Sequence, residues 1–178
     1  LTTESEGFAA PPTAEFSVSP SDPEVGESVT FDASGSNLGD GEIEEYTWSF
    51  GDGTREKTRN DPTITHTYAT GDSYSVELTV SGTTGSDTTT KMVETTEPPT
   101  AALTTDPNPI ADVGESIEFF SSGSEPGDGT IEKYNWSFGD GTTTETTDTE
   151  VTHSYGTSGD YTVELTVIGT TGTDNATT

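Results

Sequence analysis

Two histidines, a set of acidic glycine turns and two Asn-x-Ser/Thr tripeptides are the places where this chain could do chemistry. His66 and His153 are its only histidines. A histidine serves as a general base only with a nucleophile or a partner acid in hydrogen-bond reach. Neither has such a group beside it in the sequence, so both read as packing residues and no catalytic residue is assigned. Zinc fails for a related reason, since it takes three or four imidazole or thiolate ligands and the chain has no cysteine. The acidic turns would suit a hard cation, which collects carboxylate and carbonyl oxygens in a tight loop. Asp32, Asn37 and Asp40 are the candidate ligands for one weak Ca²⁺ ion, the only cofactor the sequence admits. The competing reading makes Asp40, Asp52, Asp128 and Asp140 turn formers whose carboxylates accept backbone N–H groups. Asn135-Trp136-Ser137 and Asn175-Ala176-Thr177 are N-glycosylation sequons. With Trp136 facing a core, strand alternation turns Asn135 outward, so Asn135 and Asn175 are candidate glycan acceptors.

The elements that would position these groups occur twice. Val25-Gly26-Glu27-Ser28-Val29-Thr30-Phe31 returns as Val113-Gly114-Glu115-Ser116-Ile117-Glu118-Phe119, and Trp48-Ser49-Phe50-Gly51-Asp52-Gly53 returns as Trp136-Ser137-Phe138-Gly139-Asp140-Gly141. Both offsets are 88, and Tyr74, Val76, Leu78 and Val80 return at an offset of 87 as Tyr161, Val163, Leu165 and Val167. A period this long is a whole domain and not a solenoid unit. Alternation in Tyr74-Ser75-Val76-Glu77-Leu78-Thr79-Val80 sets four apolar side chains on one face, the mark of a half-buried antiparallel strand. Six or seven such strands per copy, separated by glycine turns, predict an all-β chain of two Ig-like sandwiches. The expected core of the first copy is Phe16, Val29, Phe31, Ile43, Tyr46, Trp48, Phe50, Tyr68, Tyr74, Val76, Leu78 and Val80.

Leu, Ile, Val and Phe make up only 28 of 178 residues, a share that by itself would suggest disorder. Placement overrules it, because those few residues alternate and recur in register. Charge is equally lopsided, with 33 Asp and Glu against 5 Lys and Arg and a net of −28. Such a surface repels phosphate backbones and anionic membranes, which excludes nucleic acid as a partner. No apolar stretch is long enough to cross a membrane as a helix. At molar salt the Debye length falls to about 3 Å and the self-repulsion is screened. The composition therefore looks like that of a salt-adapted protein and resembles haloarchaeal secreted proteins.

The residues assembled here resemble the PKD (polycystic kidney disease) domain family. They are Tyr46 to Gly53, Thr65-His66-Thr67-Tyr68 and Gly71 to Val80, and in the second copy Trp136 to Gly141, His153-Ser154-Tyr155 and Gly159 to Leu165. The structural motif is Trp48, Phe50, Gly51, Asp52 and Gly53, repeated as Trp136, Phe138, Gly139, Asp140 and Gly141. The resemblance implies Ig-like sandwiches of extracellular or cell-surface proteins that act as spacers or mediate protein or polysaccharide contact, without catalysis. It also implies that the loop near Asp32 is where some members bind Ca²⁺. Two departures are visible: Ser49 and Ser137 stand where the family often has Asp, and Phe120 stands at the position of Asp32.

Residues 1–10 read as an extension, 11–95 as the first domain, 96–99 as a Pro-rich linker and 100–178 as the second domain, whose last strand is incomplete and suggests a longer polypeptide. Proline pairs favour extended, semi-rigid chain, so a rod is expected. The leading expectation is a stalk, adhesin or virion fibre in a high-salt setting, in contact with other surface or virion proteins. A carbohydrate-binding accessory module of a secreted hydrolase is the alternative, and it would need a row of exposed aromatics.

Overall fold

Apolar side chains at every second position leave a chain no better option than two sheets packed face to face. The computed structural model, which describes residues 9–106 and 110–178, is built that way twice over. The chain divides into two compact units, Leu1–Thr95 and Thr96–Thr178. In the first, β1 (Ser17–Ser19), β2 (Ser28–Asp32) and β5 (Thr63–Thr67) form one sheet in the order β1-β2-β5. Its partner sheet runs β4-β3-β6-β7, from Arg55–Thr58, Ile43–Ser49, Ser73–Gly82 and Gly85–Glu94. The second unit repeats the plan. There β8 (Thr104–Thr105), β9 (Ser116–Phe120) and β12 (Glu150–Ser154) make the smaller sheet. The larger one runs β11-β10-β13-β14, from Thr143–Thr146, Ile131–Ser137, Glu164–Gly169 and Gly172–Thr177. Every pairing between these strands is antiparallel.

The core of the first unit contains every residue expected, with Ile43 only half-buried, and adds Ala33 and Val93. Trp48 lies fully buried at its centre, with the Phe16 ring 5.3 Å away and edge-on at 82°. Burial of each such side chain stabilises by about 1.5–3 kcal/mol. Strand β1 does not reach back over residues 14–16. Residues 14–16 are held by other means: Ala14 N–H donates to Asp87 Oδ2 at 2.8 Å, and the Lys91 ammonium donates to the Phe16 carbonyl.

The proline pairs are not free linkers. Thr13 and Asn37 form a two-way backbone bridge, and Ala10 and Asp40 bond reciprocally, the Ala10 N–H to Asp40 Oδ2 at 2.7 Å and the Asp40 N–H to the Ala10 carbonyl at 3.0 Å. Glu97 and Asp128 repeat that exchange, and Thr100 bridges Glu125. Gly39 (φ 65°) and Gly127 (φ 63°) make this close approach feasible, because a Cβ at either would run into the carbonyl oxygens of the docked segment. The segment 96–99 expected as linker therefore belongs, from Glu97 onward, to the second unit. Thr95 belongs to the first, its N–H donating to the Asp72 carbonyl at 3.0 Å and its hydroxyl to the Thr70 carbonyl at 2.9 Å.

Candidate functional site

The repeated Gly-Asp-Gly turn follows β3, and β5 lies in the opposing sheet, so packing of the two sheets decides what meets there. It brings His66 to Asp52, Nε2 to Oδ2 at 2.7 Å. Asp52 Oδ1 accepts the Thr54 hydroxyl at 2.6 Å and the Thr54 N–H at 2.9 Å. The imidazole is stacked on Phe50, centroids 4.1 Å apart and 8° from parallel, and meets Tyr68 edge-on at 85°. Tyr68 in turn donates its hydroxyl to the Phe50 carbonyl at 3.1 Å. The second unit rebuilds every part, with His153 to Asp140 at 2.8 Å, Thr142 to Asp140 at 2.6 Å, Phe138 stacked at 4.2 Å and Tyr155 donating to Phe138 at 2.9 Å. Gly51 is required at this turn, since at φ 87° a Cβ would strike the backbone of Ser75.

The expectation that the histidines lack an acid partner is thus corrected: each has one, 14 residues away in the first unit and 13 in the second. A histidine, an aspartate and a hydroxyl in one cluster resemble a nucleophilic triad in composition but not in wiring. The Thr54 hydroxyl gives its proton to Asp52 and stands 3.5 Å from His66 Nε2. That imidazole nitrogen is already engaged with the carboxylate, so nothing draws a proton from the threonine. The arrangement can tie two sheets together and cannot activate a nucleophile.

Its electrostatics fit that role. Burial would raise Asp52, but hydrogen bonds from Thr54 and His66 outweigh it and bring the pKa down to about 2. Asp140 is also lowered to about 2, by the Thr142 hydroxyl and N–H first and then by His153. Burial pushes the phenols of Tyr68 and Tyr155 upward, so both stay protonated donors.

Each of the expected Ca²⁺ ligands accepts a backbone N–H. Asp32 Oδ1 accepts the Ser34 N–H at 2.8 Å, Asn37 Oδ1 accepts the Gly39 N–H at 2.9 Å and Asp40 holds Ala10. Asp32 and Asn37 serve their own turns and Asp40 a segment 30 residues away, and among the described residues no three acidic or histidine side chains converge as a metal site. The sequon asparagines do come together. Asn135 and Asn175 both pair with Thr166, on the two flanks of β13, and so share one polar sheet face. Asn175 is exposed and Asn135 half-buried. For the alternative expectation of a carbohydrate site, every aromatic side chain among the described residues is buried or half-buried, which leaves no stacking row.

A family model described as PKD domain matches residues 9–97 and again 96–178. Collagenase ColA of Bacillus cereus is 51% identical over 55 residues, 31% of this chain and 6% of that protein. A microbial collagenase of Vibrio alginolyticus is 43% identical over 74 residues, 42% of this chain and 9% of its own length. The chain thus spans less than a tenth of the curated relatives it matches. Among solved structures, the PKD1 domain of the Vibrio cholerae metalloprotease PrtV is 32% identical, covering 48% of this chain and 96% of that one, with a TM-score of 0.40.

Proposed function

The chain belongs to the PKD-domain family, in two consecutive copies, and from that premise we propose that it is a non-catalytic extracellular spacer that sets and holds a distance between the parts it joins. The observation that carries this reading is how little free chain separates the copies. Thr95 is bonded to Thr70 and Asp72 of the first unit, and Glu97 to Asp128 of the second. Thr96, the one residue between these anchors, is half-buried and itself in an isolated β-bridge. The connection therefore contains no run of free chain. Repulsion between two acidic bodies also opposes folding back.

The acidic balance supports a salt-rich setting, on the surface of a haloarchaeal cell or as a virion fibre on such a host, with other surface proteins as contacts. Catalysis by these two units is not part of the reading, since both histidines are held by carboxylates in a sheet-to-sheet clamp. Small-angle scattering in molar NaCl tests it. A maximum dimension near the sum of the long axes of the two units is expected. A compact profile, with the units packed side by side, would contradict the spacer.

A further inference from the structure

Of the two sequons, the fold presents one and encloses the other. Residues i and i+2 of a strand share a face, so an enzyme that recognises an asparagine together with the hydroxyl two residues on must reach both from one side. On β14, Asn175 and Thr177 are both exposed, with half-buried Ala176 between them. That strand is an edge of its sheet, so Asn175 has a strand neighbour on one side only, at Thr166. Asn135 is on β10, between β11 and β13, with Glu145 and Thr166 as its cross-strand partners. Neighbouring strands lie about 4.8 Å apart, so a sugar on Asn135 would have to rise between two flanking side chains. Asn135 and Ser137 are both half-buried, and the Asn135 Oδ1 is shut off from solvent.

The first unit shows that this exposure belongs to the sheet face. Thr47, Thr79 and Thr88 hold there the places of Asn135, Thr166 and Asn175, and Thr88 and Thr90 are exposed although β7 runs on to Glu94. The outward residues of β14, Thr173, Asn175 and Thr177, carry no charge in a chain of net −28. Asp174 between them is turned away, its Oδ2 accepting the Ala101 N–H at 2.8 Å. The edge therefore lacks the outward charge that usually keeps a strand from pairing with another chain. We propose that Asn175 is N-glycosylated and that Asn135 is not. The acceptor is Asn175 Nδ2, and the donor is an oligosaccharide carried on a lipid phosphate. The bond from the sugar C1 to the phosphate oxygen breaks, the Nδ2–C1 bond forms, and the amide proton passes to the released phosphate. The bulky, hydrated glycan then covers the open edge of β14. The proposal rests on the extracellular part of the reading above and not on the spacing.

The test is mass spectrometry of the protein recovered from outside the cells that make it. Cleavage after glutamate separates the two sequons, because Glu145, Glu150 and Glu164 lie between them. A glycan on the Asn175 peptide and an unmodified Asn135 peptide are expected. In protein made by the same cells, Asn175→Gln and Thr177→Ala should each lose the whole glycan mass. Thr177→Ser, which keeps the hydroxyl, should retain it, and Asn135→Gln should leave it unchanged. An unmodified Asn175, a glycan on Asn135, or a glycan indifferent to Thr177→Ala would overturn the proposal and leave the extracellular reading standing. Protein found only inside the cells would remove that reading and this proposal with it.

Discussion

The first and second units carry the same tryptophan, the same His–Asp clamp and the same docked proline pair, yet the first buries thirteen apolar and aromatic side chains in its core and the second seven. Tyr155, Tyr161 and Ile117 of the second unit are half-buried, although their equivalents Tyr68, Tyr74 and Val29 are buried. Substitution adds to this, with Leu103 in place of Phe16 and Ser121 in place of Ala33. The motif around the tryptophan thus specifies the sandwich, while the residues around it govern how tightly it packs.

The sharpest way to break the contrast is Val93→Asp. It removes a buried valine worth about 1.5–3 kcal/mol and leaves a carboxylate in its place, which adds several kcal/mol more. In differential scanning calorimetry the first unit, expected to melt above the second, should melt below it, with the second transition unmoved. A coincident shift of both would show that the units do not fold independently.

Salt should act on both units alike. Over residues 1–95 there are 18 acidic and 4 basic side chains, and over 96–178 there are 15 and 1, so each unit carries −14. Raising NaCl from 0.05 M to 3 M should lift both melting temperatures by similar amounts as repulsion is screened. A melting profile unchanged by salt would remove the salt-adaptation argument. A rise in one unit alone would show that local geometry and not net charge sets the response.

A smaller effect separates the two clamps by pH. Because the folded pKa of Asp52 lies near 2 and its ordinary value is 3.8, the stability it contributes is complete above about pH 4 and is lost as pH falls toward 2. Asp52→Asn should therefore flatten the acid limb of the first transition in that window. The second should keep its own limb through Asp140. An acid limb unaltered by Asp52→Asn would mean that the clamp contributes nothing to stability.

Much of this was legible from spacing. The alternation at Tyr74 to Val80 and the repeated tryptophan motif carry the strands and the core, because a two-residue period can bury only one face. The partners of His66 and His153 were not legible, since Asp52 is on a turn of the opposite sheet and only sheet packing brings it near. The docked prolines escaped for a similar reason: polyproline geometry is the same whether free or bonded, and the cue was the glycine at 39 and 127 that admits them. The expected Ca²⁺ ligands show the same dependence on folded geometry. Asp32, Asn37 and Asp40 supply oxygens in composition, but each is already bonded to a nearby backbone N–H, which composition cannot reveal.

The proposed spacer rests on the lack of any run of free chain between Thr95, bonded within the first unit, and Glu97, bonded within the second. The absence of native cysteine makes a direct distance measurement simple: Glu56→Cys and Thr144→Cys place spin labels at equivalent exposed positions on β4 and β11. Pulsed electron paramagnetic resonance in molar salt should give one narrow distance distribution, which broadens when six Gly and Ser residues are inserted after Thr96. A distribution already broad in the parent chain, and unchanged by the insertion, would contradict the account.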